Sequence, residues 1–200
     1  DTLRRIGRAH TVDDIVEKFQ MARSAGFCNI NMDMIIGLPG ENIEYVKRTL
    51  NELLRLRPEN ITVHSLAVKR ASKLRERMIE EGRMPLPGME EANAIMNYAH
   101  DTLASASYAP YYLYRQKDMV GNLENAGYCR SGFECLYNIQ QIEEKQTIIG
   151  FGADSVTKTV FPSENRIERY RDKKDISEYL RTIRDSSARK LEFLRQLTQD

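Results

Sequence analysis

The stretch from Cys28 to Ile36 concentrates polar chemistry on one side. As a strand it sends Asn29, Asn31 and Asp33 to one face and Cys28, Ile30, Met32, Met34 and Ile36 to the other. In a barrel with helices outside, both faces are covered and a purely structural strand is apolar throughout. Three alternating polar groups therefore predict a wide lumen holding water or ligand. A solvent-facing edge strand gives the same alternation, and spacing alone does not separate the two. Asp33 lies toward the carboxyl end of the strand, where barrels place their chemistry. A second concentration is aromatic: Tyr108, Tyr111, Tyr112, Tyr114, Tyr128 and Tyr137 share a stretch with Arg115, Lys117 and Arg130. Aromatic faces with cations suit a flat polyanion, because guanidinium and ammonium groups pair with carboxylates. For most single tyrosines, packing at the core boundary with the hydroxyl outward is the simpler reading.

Other chemistries are poorly supplied. His10, His64 and His100 stand far apart, and a histidine in a strand such as His64 is more often a satisfied core residue than a ligand. Cys28, Cys129 and Cys135 are odd in number and irregularly spaced, which fits neither a disulfide scaffold nor a zinc or iron–sulfur site. No metal is expected on this chain, and a reduced, cytoplasmic setting is. The turn Gly150-Phe151-Gly152 lacks the third glycine and the βαβ unit of a dinucleotide loop. A net charge of +1 offers no field for nucleic acid or an anionic membrane. No apolar run approaches the roughly 20 residues that span a bilayer.

The elements that position these residues alternate between helix and strand. Thr11 and Asp14 form a capping box before Val12, Ile15, Val16, Phe19 and Ala22, and Gly26 stops that helix. The strand over 28–36 ends at Gly37-Leu38-Pro39-Gly40. A helix from about Asn42 carries Ile43, Val46, Leu50, Leu53 and Leu54 on one face and breaks at Pro58. A strand over 61–68 follows, then helices over about 73–81 and 89–106 and a strand over 111–114. Residues 116–134 read as loop and 147–152 as a buried strand running into a glycine turn. A strand over 166–170 leads to a charged helix over about 176–197. Short-looped βα repeats favour a parallel sheet or barrel. The expected class is α/β, a partial (β/α) TIM-like barrel over 1–155 with a carboxyl-terminal strand and helix extension over 156–200.

Longer runs carry a family resemblance. Leu3-x-x-x-Gly7-Arg8-x-His10, then Ala25-Gly26-Phe27-x-Asn29-Ile30-Asn31-Met32-Asp33-Met34-Ile35-x-Gly37-Leu38-Pro39-Gly40, resembles the signature of oxygen-independent coproporphyrinogen III dehydrogenases of the radical S-adenosylmethionine (SAM) type. Leu56-x-Pro58 and residues 61–66 continue it. Residues 111–117, 121–125 and 134–138 resemble its Gram-positive branch, and residues 150–155 resemble its late glycine turn. The resemblance covers essentially the whole chain.

It implies a [4Fe-4S] cluster held by a Cys-x3-Cys-x2-Cys-type motif with SAM on the open iron. That motif is absent from these 200 residues, which with the missing initiator Met suggests a fragment whose cluster ligands lie outside this chain. It implies that the cleaved SAM abstracts hydrogen from propionate side chains of coproporphyrinogen III, which lose carbon dioxide to become vinyl groups in haem biosynthesis. An electron donor is the implied partner. By motif position Arg8 and Asp33 become polar contacts to SAM, and Ala67 and Val156 line it through backbone and apolar contacts. Lys69, Arg70, Arg115 and Lys117 become candidate partners for the substrate carboxylates. Two other expectations compete: a related haem-binding or delivery protein, and a non-catalytic α/β interaction module.

Overall fold

The computed structural model describes residues 2–68, 73–80, 82, 86–115 and 123–198. The chain divides into two compact units, Asp1–Cys135 and Leu136–Asp200. The division falls at 135/136 rather than at the glycine turn, because that turn packs within the second unit: Ile148 bridges Lys158, and the Gly150 amide donates to Thr157 Oγ1 at 3.1 Å.

The first unit opens with a short helix, α1 (Thr2–Arg5), and then α2 (Val12–Ser24). Both bonds of the Thr11–Asp14 capping box form, so the helix start read from sequence is borne out. β1 (Asn31–Ile36) follows and is shorter than expected, since residues 28–30 lie outside the strand. α3 (Ile43–Leu56) is capped by Asn42, whose side chain accepts from the Glu44 amide. It ends on Arg57 in the left-handed region, with Pro58 barring another turn. β2 (Asn60–Ser65), α4 (Lys73–Glu80), α5 (Met89–Ser105), β3 (Ala109–Tyr114) and β4 (Asn125–Cys129) complete the unit.

The sheet order is β1-β2-β4-β3. β1 and β2 are parallel, with Asp33 opposite Thr62 and Ile35 opposite His64. β4 runs antiparallel to both β2 and β3. Expectation and structure part here. The sheet is mixed, and β4 lies inside residues 116–134, which read as loop because Asn125-Ala126-Gly127 carries little strand propensity. Tertiary pairing on both sides overrides that weakness, and all five residues of β4 are buried.

One face of the sheet is covered by helices. Met34, Ile36, Ile61, Val63, Ala126 and Tyr128 pack against Val46, Leu50 and Leu53 of α3 and Ile95, Ala99 and Leu103 of α5. Leu50 is fully buried, and shortening it to alanine costs about 3 kcal/mol on the scale of core truncations. A smaller cluster, Leu38, Leu66 and Leu74, with Ile6 and Ile35 packed against it, lies where the parallel strands end.

The second unit holds α6 (Leu136–Glu143), the hairpin β5 (Val156–Phe161) and β6 (Arg166–Arg171), and α7 (Ile176–Arg195). α6 and β5 were not foreseen. Residues 147–152 form no strand beyond the single bridge at Ile148; Gly152 has φ +107° and Phe151 is 85% exposed, so the backbone turns away from pairing. Among the described residues no helix is long and apolar enough to cross a membrane.

Candidate functional site

The face of the first sheet opposite α3 and α5 is polar. Asn31 and Asp33 of β1, Thr62 and His64 of β2, and Tyr112 and Tyr114 of β3 share it and join in one hydrogen-bonded patch. Asn31 Nδ2 donates to Asp33 Oδ1 at 2.6 Å, and Thr62 Oγ1 donates to Asn31 Oδ1 at 3.0 Å. The Tyr112 hydroxyl lies 3.1 Å from Thr62 Oγ1. The Tyr114 hydroxyl lies 3.3 Å from His64 Nδ1, and His64 Nε2 lies 3.5 Å from Asp33 Oδ2. Tyr112 and Tyr114 stack with rings 11° from parallel and centroids 6.2 Å apart. Tyr112 reaches across the sheet only because residue 127 is glycine: a Cβ there would stand 1.8 Å from its ring.

Asp33 keeps 60% of its side chain exposed despite these neighbours. His64 beside it holds its carboxyl below the usual carboxylate range, with Asn31 and Thr62 adding to the effect and partial burial opposing it. Tyr112 is pushed the other way by burial, against its bond to Thr62. The patch therefore presents a fixed, ionised carboxylate to solvent near the middle of two parallel strands; β1 begins at Asn31, so Asp33 is its third residue and does not lie toward its carboxyl end as the longer strand read from sequence suggested. An open groove of about 330 Å³ runs beside it between α2 and β1, with Lys18, Phe19, Asn31 and Asp33 in its lining.

The sequence-selected residues fare differently. Asn29 lies before β1 and serves structure, its amide donating to the Phe133 carbonyl at 3.1 Å and its oxygen accepting from buried Asn60 at 2.6 Å. Arg8 is exposed just after α1. That helix is anchored at the carboxyl end of β1, where Arg5 Nη1 donates to the Pro39 carbonyl at 2.8 Å and Ile6 joins the Leu38 cluster. The Arg8 side chain has no partner among the described residues. Ala67 follows β2 and is half-buried. Arg115 is exposed and pairs with Glu124 at 3.0 Å. Lys69, Arg70 and Lys117 lie outside the described residues. Val156 is half-buried on β5 of the second unit. Four more members join the patch: Tyr112 and Tyr114, read from sequence only as part of an aromatic concentration, His64, read as a core residue, and Thr62, not singled out; the period of the β2 strand, which puts Thr62 and His64 on one face, was the available signal.

Two cofactors were implied by the resemblance, and the residues present answer differently for each. Asp33, with acceptor capacity turned to solvent, fits the ammonium or ribose hydroxyls of SAM. An iron–sulfur cluster does not fit: among the described residues no group of three His, Cys, Asp or Glu side chains could hold a metal. Cys129 is buried, its thiol pushed up to about 11 by burial and then by Glu134, the reverse of what a ligating thiolate needs.

Comparison with known proteins places this geometry. Residues 1–53, which hold α1, α2 and β1, match the model of the radical SAM superfamily. Across 98% of its length the chain is 40% identical to the oxygen-independent coproporphyrinogen-III oxidase-like protein HemZ of Bacillus subtilis, and the recognition made from the motifs is borne out. The chain spans 39% of that relative's length. It is also 28% identical to the heme chaperone HemW of Bacillus subtilis over 76% of this chain and 37% of the relative. The fold matches the solved coproporphyrinogen III oxidase (HemN) of Escherichia coli, described as a radical SAM enzyme, with a TM-score of 0.65 at 16% identity over 92% of this chain and 40% of that one. The α/β class and partial barrel are thus borne out; the four-stranded sheet is open rather than closed.

Proposed function

We propose that this chain forms the later strands of a radical SAM coproporphyrinogen III dehydrogenase, with its iron–sulfur cluster held by residues outside these 200. The observation that carries the reading is Asp33: an ionised carboxylate fixed by neighbours yet open on the polar face of a radical SAM segment. Asp33 accepts from the ammonium or hydroxyl groups of SAM, and Arg8 neutralises its carboxylate. Ala67 gives an apolar contact next to the patch. SAM bound at a cluster would supply hydrogen-atom abstraction from a propionate, which would then lose carbon dioxide and pass one electron to an acceptor outside this chain to become vinyl. The protein's part is to orient the reactants and exclude water. Arg115, with Lys69, Arg70 and Lys117, pairs with the other substrate carboxylates, and an electron donor completes the system.

The test is anaerobic turnover of the complete gene product with SAM and coproporphyrinogen III. Vinyl-bearing product supports the reading, and its alanine variants at Arg115 and Lys117 raise KM with little change in kcat. The similarity to HemW favours a second reading, a protein that carries haem. Haem retained through purification, with SAM bound but no vinyl product formed, selects that reading.

A further inference from the structure

We propose that His64 is a positioning residue that aims the Asp33 carboxylate at a cationic or hydroxyl-bearing ligand, with Tyr114 fixing the tautomer of its ring. The inference rests on the reading that Asp33 contacts SAM and deepens it. β1 and β2 are parallel, so Asp33 stands opposite Thr62 and the His64 side chain reaches it along the same face from two residues further on. Nε2 lies 3.5 Å from Oδ2, a long contact of the kind that tightens when a site fills. Because Asp33 is ionised beside Nε2, the ring proton belongs on Nε2, which leaves Nδ1 to accept from the Tyr114 hydroxyl at 3.3 Å.

The two carboxylate oxygens are thereby held from two sides. Oδ1 accepts from Asn31 at 2.6 Å, and Oδ2 faces His64. With the side chain 60% exposed, the remaining lone pairs point outward, which is where a ligand arrives. This is the logic by which an outer hydrogen bond sets the direction and basicity of a binding group. A histidine in that role also carries a signature that a purely structural one lacks: one ring tautomer, held by Asp33 on one side and Tyr114 on the other. Its neighbours on this face are Asp33 from β1 and Tyr114, with stacked Tyr112 behind it, from β3; β4 brings Asn125 and Gly127.

The experiment measures SAM binding by calorimetry on the complete gene product, wild type and Asp33→Asn, His64→Phe and His64→Gln. His64→Phe binds SAM about tenfold more weakly, the usual worth of a hydrogen bond to a charged group. His64→Gln, whose amide can still donate to Asp33, recovers most of the affinity. In parallel, nitrogen-detected NMR of the same protein without SAM finds the Nε2–H tautomer at His64, and Asp33→Asn turns it into a mixture. Wild-type affinity in His64→Phe, with binding lost in Asp33→Asn, overturns the role of His64 alone; an Nδ1–H tautomer does the same. Unchanged binding in Asp33→Asn overturns the underlying assignment of SAM to this face. If His64→Phe does not fold, the tautomer and the affinity of His64→Gln decide.

Discussion

Arg23 of α2 grips both oxygens of Glu59, the residue before β2, with Nη2 at 2.9 and 2.8 Å. Glu59 is 7% exposed in its side chain, and the Ile30 amide also donates to it at 3.1 Å. The pair ties α2, the entry to β1 and the start of β2 into one corner at the amino ends of the two parallel strands. Burial alone would raise the Glu59 carboxyl; the bonds from Arg23 and Ile30 outweigh it, so the folded-state value lies below the ordinary glutamate value. Stability from this group is therefore present above the ordinary value and lost as pH falls through the folded one. Arg23→Ala costs about 2 kcal/mol in urea unfolding at pH 7, less than a fully buried pair because the guanidinium is partly exposed. As pH falls from about 5 through and below the ordinary glutamate value, Glu59→Gln shows a shallower loss of stability than wild type.

Gly127 and Tyr112 form a second dependent pair. An alanine at 127 cannot coexist with the Tyr112 ring where it lies. Gly127→Ala displaces the ring, breaks its contact with Thr62 and costs about 2 kcal/mol, in the range of overpacked cores. Tyr112→Ala costs less, and the double variant is no worse than Tyr112→Ala alone. A double-mutant cycle in urea checks this: the coupling reaches about 1 kcal/mol or more for residues in direct contact.

The legible parts of the molecule were those with local signals. The Thr11–Asp14 box, the apolar face of α3 and the Asn31–Asp33 alternation depend on neighbours within a turn or a strand, and all are present as read. β4 was illegible because Asn125, Ala126 and Gly127 join the sheet through long-range pairing with β2 and β3 rather than through propensity. Residues 147–152 misled in the opposite sense: apolar Ile148, Ile149 and Phe151 looked buried, yet Phe151 stands exposed where the glycines bend the chain. The site was half visible. Asp33 could be chosen from its own strand, whereas the roles of His64 and Tyr114 depend on the registers of three strands, which no local pattern encodes.

The cysteines differ enough in exposure to be told apart by chemistry. Cys28 is exposed and Cys135 partly so, while Cys129 is buried with its thiol pushed up to about 11. Alkylation proceeds through the thiolate, so burial and a raised value slow it together. Under native conditions at pH 8, iodoacetamide labels Cys28 first, Cys135 more slowly, and Cys129 only after urea is added. Peptide mass spectrometry of a time course reads the order directly. Early labelling of Cys129 would mean that β4 opens readily and that the Tyr112 platform is not held as described.

In the second unit Asp172 is the joint between hairpin and helix. It is 2% exposed in its side chain and takes Ser155 Oγ at 2.6 Å, Ser186 Oγ at 3.0 Å and the Lys190 ammonium. Lys190 also donates to the Gly150 carbonyl at 2.9 Å, and the Tyr170 hydroxyl donates to the Ser186 carbonyl at 3.0 Å. Burial works to raise the Asp172 carboxyl, but Lys190 and the two serines hold it below the usual range. Its contribution is thus complete above the ordinary aspartate value and fades as acid protonates the folded state. Lys190→Met leaves a buried carboxylate without its cation and costs about 3 kcal/mol. Asp172→Asn with Lys190→Met costs less than the sum of the singles, because the serines still find a polar partner and no charge is stranded. Circular dichroism at 222 nm during urea unfolding follows the loss of α7. Additive costs for the two changes would mean that the serines rather than the ion pair fasten the helix to the hairpin.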